Sequence, residues 1–269
     1  ESYRYNDAAS SLMEFFWNEF CDWYVEATKL SFWHGDEHEK NRAISVLLNV
    51  LEESLRLMHP FIPFVTEEIY GKLPLNLIVE NRKKAGANKI VSNEDYTAML
   101  INAPFPEIVV ERDSKKIAER FAVLKELISQ LRALRAECGI DPANKINIAL
   151  IVTKGSEAEV LTEKVDMIKL LSGVANVEFV EAKPASSVGT VGKGFEAFIL
   201  VDESINREQL ISRFKREIET ETGYVKRSEA KLGGNFAKHA PQAVVEEEKR
   251  RMEESLRKIE KLKSYVNSL

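Results

Sequence analysis

Apolar residues between Ala8 and Leu30 fall at positions 8, 12, 16, 20, 23, 27 and 30. That is a helical period with a wide buried face. Ile44, Leu48, Leu51, Leu55 and Met58 mark a second helix. Pro60 stops or kinks it, and Pro63 opens a third through Val65, Glu68 and Ile69. Three helices in series with short connections predict an up-and-down bundle. Residues 71–106 read as a linker with local structure, carrying Pro74, the basic run Asn81-Arg82-Lys83-Lys84 and Pro104-Phe105-Pro106. A long helix follows from about Ser114 to Glu137, its face drawn by Ile117, Phe121, Leu124, Ile128 and Leu131. Gly139 suits its cap, and Asp141-Pro142 suits a turn.

The period then shortens. Lys145–Val152 reads as a strand, Glu157–Leu171 as a helix and Asn176–Glu181 as a strand. Val188–Val201 supplies one or two more, bent around Gly189, Gly192 and Gly194. Beyond this small α/β unit the pattern becomes a heptad. Ile211, Ile218, Val225 and Leu232 recur every seven residues, and after a break at Gly233–Pro241 so do Val245, Met252, Ile259 and Val266. Each helix thus has one narrow seam to bury against the other, and the short connection makes the pair antiparallel. Each limb is roughly 40 Å long at about 1.5 Å per residue. The expected fold is mainly α: a helical bundle over 1–106, an α/β junction over 107–203 and an antiparallel coiled-coil hairpin over 204–269.

Charge changes the picture of that hairpin. The chain carries a net −5, but residues 204–269 hold 15 Lys/Arg against 11 Asp/Glu, a net +4. Residues 1–105 are net −6 and 106–203 net −3. The acidic average therefore does not exclude a polyanionic partner for the basic arm. Cys21 and Cys138 lie too far apart in sequence for a ligand cluster or a disulfide framework, which suits a reducing cytoplasm. No run of eighteen apolar residues predicts a membrane span, and no secretory signal opens the chain. Residue 1 already sits in a helical pattern, as in a fragment of something longer.

Candidate chemistry is sparse. His34-Gly35-Asp36-Glu37-His38 lacks the His-Glu-x-x-His order of zinc proteases and reads as a solvated loop. Gly189-Thr190-Val191-Gly192-Lys193-Gly194 lacks the Walker spacing and reads as a glycine-rich β-turn. His59, at a helix end, reads as a carbonyl cap. No acid, base and nucleophile assemble, so the residues predict no catalytic site, cofactor or metal. Binding is the better prospect. Phe15, Phe16, Trp17, Phe20, Trp23 and Tyr24 are too many aromatics for one buried stripe. An exposed ring beside Arg4, Asn6 or Asp22 suits stacking on unpaired bases. On the arm, Lys226, Arg227, Lys231, Lys238 and His239 gather near the tip, with Lys249, Arg250 and Arg251 returning. Phe236 in the loop either meets a partner or plugs the hairpin end.

These residues also carry a resemblance. Glu1-Ser2-Tyr3-Arg4-Tyr5-Asn6-Asp7-Ala8-Ala9, followed by Trp17-Asn18-Glu19-Phe20-Cys21-Asp22-Trp23-Tyr24, resembles the anticodon-binding bundle of valyl-tRNA synthetases. Leu57-Met58-His59-Pro60-Phe61-Ile62-Pro63-Phe64-Val65-Thr66-Glu67-Glu68-Ile69 is similar to the helix pair shared by the valyl, isoleucyl and leucyl enzymes. Leu131-Arg132-Ala133-Leu134-Arg135, the order of domains, and the tip residues Lys231-Leu232, Asn235-Phe236 and Ala240-Pro241 are similar to the valyl branch. Glu221 and Ser228 depart from an apolar seam.

The resemblance implies a tRNA-binding C-terminal part of a valine–tRNA ligase, monomeric and cytoplasmic, with valine tRNA as partner. Arg4, Asn6, Trp17 and Asp22 are its expected anticodon residues, and Lys226, Arg227, Lys231, Asn235, Phe236 and Lys238 its arm residues for the outer corner of the tRNA. Arg132 and Arg135 are weaker candidates for RNA backbone contact. It also implies that ATP and magnesium belong to catalytic and editing domains outside this chain, since the His-Ile-Gly-His and Lys-Met-Ser-Lys-Ser signatures do not occur here. One alternative is the matching part of an isoleucyl or leucyl enzyme, although the isoleucyl type often ends in a cysteine-rich metal module. Another is a coiled-coil module for protein interaction, which needs a second apolar stripe; Leu210, Leu256 and Tyr265 are off the seam but too scattered to make one.

Overall fold

The computed structural model describes residues 4–84, 99–107, 114–153, 155–202, 205–234 and 236–269. The chain forms two compact units, Glu1–Ser114 and Lys115–Leu269.

In the first unit a long helix runs through three parts: α1 (Tyr5–Glu14), a π-helical stretch (Phe15–Val25) and α2 (Glu26–His34). Of the predicted inward positions Phe20 and Trp23 are buried and Leu12 and Phe16 half-buried, while Ala8, near the helix start, is exposed. The acidic loop after α2 has a structural use. Asp36 caps α3 (Glu37–Met58) by accepting from the Glu39 amide at 2.8 Å, while the Glu39 carboxylate accepts from the Asp36 amide at 3.2 Å. Leu55 and Met58 of α3 form a core with Tyr70 of α4 (Pro63–Tyr70) and Leu100. α5 (Leu75–Lys84) adds the buried Ile78, while the side chains of Asn81–Lys84 lie outside the described residues.

Two polar ties close this bundle. Arg56 and Glu52, one turn apart and both buried, meet at 2.8 Å, and the guanidinium also donates to the Pro104 carbonyl at 3.0 Å. His59 does not cap carbonyls as its position suggests. Thr66 Oγ1 lies within donating reach of the Ile62 and Pro63 carbonyls, so His59 Nδ1 donates to Thr66 Oγ1 at 2.9 Å. Glu67 accepts from the amides of Leu100 and Ile101 at 2.7 and 3.2 Å. The proline corner is thereby fixed to the segment around Leu100.

The second unit opens with α6 (Lys115–Cys138). Its buried stripe is Val123, Leu124, Leu127, Ile128, Leu131, Leu134 and Cys138, and Ile117 is 68% exposed. The strands are only six or seven residues long, roughly 23 Å, and the 24-residue helix runs to about 36 Å. A sheet of that depth cannot cover its first turns. The strands are β1 (Ile146–Val152), β2 (Val174–Phe179), β3 (Ser187–Gly192) and β4 (Phe195–Leu200), in the order β2-β1-β4-β3. β1 pairs parallel with β2 through a crossover that breaks at Lys164 into α7 (Ser156–Glu163) and α8 (Val165–Ser172). β4 runs antiparallel to both β1 and β3, and the β3–β4 turn is the glycine-rich segment, with Gly194 at φ 80°.

The hairpin consists of α9 (Arg207–Gly233), a single turn α10 (Phe236–His239) and α11 (Gln242–Ser268). Asn206 caps α9 by accepting from the Gln209 amide at 2.9 Å. Near the root the seam is apolar, with Phe214, Ile259, Leu262 and Leu269 buried. Towards the tip, polar residues take alternate seam positions. Ser228 and Lys231 both donate to Glu248, at 2.7 and 2.9 Å, and Lys258 bridges Glu217 and Glu221 at 2.7 and 2.9 Å.

Those contacts predict a loss of arm stability in acid. The Lys231 hydrogen bond, then that of Ser228, holds the Glu248 carboxyl below its ordinary range; for Glu221 the Lys258 hydrogen bond does so first, aided by Ser255. A carboxyl with a depressed folded pKa gives its stability fully above the unfolded value, about 4.3, and loses it as pH falls through the folded value. Thermal melts followed by helix signal are expected to be level from neutral pH to about 5 and to fall below about 4. The Glu221→Gln/Glu248→Gln double variant is expected to show a flatter profile, and an equally steep fall there would remove these carboxyls as the cause.

Candidate nucleic-acid interface

On the first helix, Asn6, Ser10, Met13 and Trp17 are spaced four, three and four residues apart and are all exposed. That spacing puts them on one face of an α-helix. Trp17 is 62% exposed, an unusual cost for an indole with no burial to recover. The next candidate, Asp22, is five residues on, and α-helical geometry would turn it well away from Trp17. The π-helical stretch, with hydrogen bonds from i to i+5, has more than four residues per turn and returns Asp22 to the same side. Asn6, Trp17 and Asp22 therefore share a face. Arg4 does not. It lies at the helix start, about half a turn around from Asn6, in an exposed ion pair with Asp7. The aromatic string pointed to Trp17 but gave no sign of the π-helix. The rings of Tyr5, between Arg4 and Asn6, and of Trp33, before His34, are also exposed, although neither is among the contacts expected from sequence.

The arm residues separate into committed and free. Lys231 is committed, because its ammonium contacts Glu248 and lies 4.3 Å above the Phe236 ring. Phe236 is accordingly half-buried under that cation, closing the hairpin end as a plug. Arg250 and Arg251 both pair with Glu247, Lys258 with Glu217 and Glu221, and Lys261 with Glu137. Lys226 and Arg227 are exposed and, among the described residues, meet no carboxylate within ion-pair distance. Asn235 and the side chain of Lys238 lie outside the described residues.

Arg135 is not an RNA contact. It is 6% exposed, and its guanidinium donates to the carbonyls of Ser172 and Gly173 at 2.9 and 3.3 Å. It also donates to Asp141 and Pro142 at 2.8 and 2.9 Å, and to Asn144. Arg132 Nε donates to the Leu171 carbonyl at 2.7 Å. Both arginines satisfy the last carbonyls of α8, where a helix leaves acceptors unpaired and its dipole is negative. Gly173 permits this. Its φ of 66° suits glycine, and a β-carbon there would collide with the Arg135 guanidinium. The spacing Ile128, Leu131, Arg135, Cys138 already placed Arg135 on the buried stripe of α6.

The off-seam residues of the arm are used at its root. Leu210 and Tyr265 are buried, with the Tyr265 ring 5.5 Å from that of Phe214 and its hydroxyl donating to Glu137 at 3.3 Å. Lys261 reaches the same carboxylate at 2.7 Å. Burial first, then the Glu137 charge, pushes the neighbouring Cys138 thiol up to about 12. Of the three residues that a second apolar stripe would have used, only Leu256 stays exposed. Among the described residues the arm therefore offers no continuous apolar face to a protein, and no helix is long and apolar enough to cross a membrane.

Residues 1–150 match the family described as the anticodon-binding domain of tRNA ligase, and residues 207–269 match the valyl tRNA synthetase tRNA binding arm. The chain is 49% identical to a valine–tRNA ligase of Treponema denticola, over all of this chain and 29% of that protein. It is 32% identical to one of Thermotoga maritima and 31% to one of Aquifex aeolicus, again along its whole length, covering 28% and 23% of theirs. The chain thus spans less than a third of the relatives it matches.

Proposed function

Because the chain belongs to the valyl-tRNA synthetase family, we propose that it holds valine tRNA through two separate surfaces. The Asn6–Trp17–Asp22 face reads the anticodon, with Trp17 stacking on an unpaired base and the polar groups selecting base edges. Lys226 and Arg227 hold the backbone at the outer corner of the tRNA. Backbone contacts position the RNA and base contacts select it. Adenylate formation, with its ATP and magnesium, and editing belong to the part of the relatives that this chain does not span. We place the protein in the cytoplasm as a monomer. The observation that supports this reading is the exposed pair Lys226/Arg227, which meets no carboxylate among the described residues, on a hairpin whose Lys231, Arg250 and Arg251 are matched to carboxylates.

A titration of the chain with valine tRNA, beside the same tRNA with a changed anticodon, tests it. Affinity is expected to drop with the anticodon change, and Trp17→Ala is expected to abolish that difference at a cost of about 1–3 kcal/mol. Lys226→Ala/Arg227→Ala is expected to lower the log–log salt slope by roughly 1.5, two contacts at about 0.7–0.9 each. Binding that ignores salt, or no binding to either tRNA, would overturn the proposal.

A further inference from the structure

α9 carries a second exposed cation pair, Lys215/Arg216, eleven residues before Lys226/Arg227. Eleven residues are just over three full turns, so the two pairs share the face turned away from the seam, roughly 16 Å apart. Among the described residues none of the four makes an ion pair, unlike the cations of α11 that face carboxylates. Between them on the same face stands Gly223.

A glycine in the middle of a solvent-facing helix is unfavourable by about 1 kcal/mol relative to alanine. Nothing in the fold requires it. A β-carbon at Gly223 would meet no atom within 4 Å, and its φ is not in the left-handed region. The glycine relieves no packing and serves no turn. What it does provide is a gap in the side chains of this face, with Lys226/Arg227 one turn on and Lys215/Arg216 two turns back beyond Glu219.

We propose that this face of α9 is a saddle for an RNA sugar–phosphate backbone. The backbone passes closely over Gly223, and Lys215/Arg216 and Lys226/Arg227 grip phosphates on either side. The inference rests on the arm being an RNA-binding element and extends it from the tip to the middle of the helix. Glu219 is the one acid on this face between the pairs, and it stands on the same i, i+4 row as Lys215, Gly223 and Arg227, one turn before Gly223. Its carboxylate repels phosphate and limits the affinity.

The test uses the whole 269-residue chain and a valine tRNA transcript, with affinity measured across a salt series. Gly223→Ala is expected to raise the melting temperature yet weaken RNA binding several-fold, so loss of binding cannot be ascribed to loss of fold. Lys215→Ala/Arg216→Ala is expected to lower the salt slope by about 1.5, as much as removing Lys226/Arg227. Glu219→Gln is expected to tighten binding at low salt. If the parent and the Lys226/Arg227 variant behave as proposed while Gly223→Ala binds as the parent does, or Lys215→Ala/Arg216→Ala leaves the slope unchanged, the saddle is wrong and the tip reading survives. If the parent binds no tRNA at all, both fall.

Discussion

Replacing Arg135 with alanine is expected to destabilise the second unit by about 3–5 kcal/mol, as roughly 1–3 kcal/mol is lost for each buried acceptor left unpaired. The guanidinium reaches five carbonyls in two places at once, the end of α8 and the turn Asp141–Asn144. The residue itself is 6% exposed, but Asp141 and Asn144 line an open cavity that water can enter, so the loss is concentrated at the end of α8. Arg135→Met keeps the apolar stem and is expected to lose nearly as much, because the donors matter more than the packing. Arg135→Lys is expected to recover little, since one ammonium cannot span two sets of carbonyls as a planar fork does. Urea denaturation of the three variants checks this. A loss in Arg135→Met much smaller than in Arg135→Ala would show that packing dominates.

Phe214→Ala is expected to cost a similar amount, about 3–5 kcal/mol, by opening a cavity at the arm root. Phe214 is wholly buried, and its ring packs on Tyr265, which is itself tied to Glu137 of α6. The functional consequence differs from that of removing charge. All the exposed lysines and arginines of the arm remain, so the salt slope for tRNA should hold. Affinity should fall because the arm is no longer held in one orientation before binding. Lys226→Ala/Arg227→Ala should do the reverse, lowering the slope without shifting the melting temperature. The two variants, compared by thermal melts and salt series, separate orientation of the arm from its charge. Equal loss of slope in both would refute the separation.

The order of these elements was legible from local pattern alone. Heptads at 211–232 and 245–266, the breaks at Pro60 and Gly233–Pro241, and the strand at 146–152 all depend on residues near one another in sequence, and each element formed where the period said. The charge of the arm was also legible, since net charge needs no coordinates. Which charges are available was not. Lys231 and Lys226 look alike in sequence, but Glu248 on the returning helix takes Lys231 and leaves Lys226. Spacing puts Arg135 on the buried stripe of α6, but only α8 and the turn after α6 decide which carbonyls it serves. Asp22 shares a face with Trp17 only because the helix widens into π-turns, which no α-helical period predicts. Periodicity states which side of an element is wet. Only packing between elements decides which polar group finds a partner, and a partnered charge is no longer free to bind.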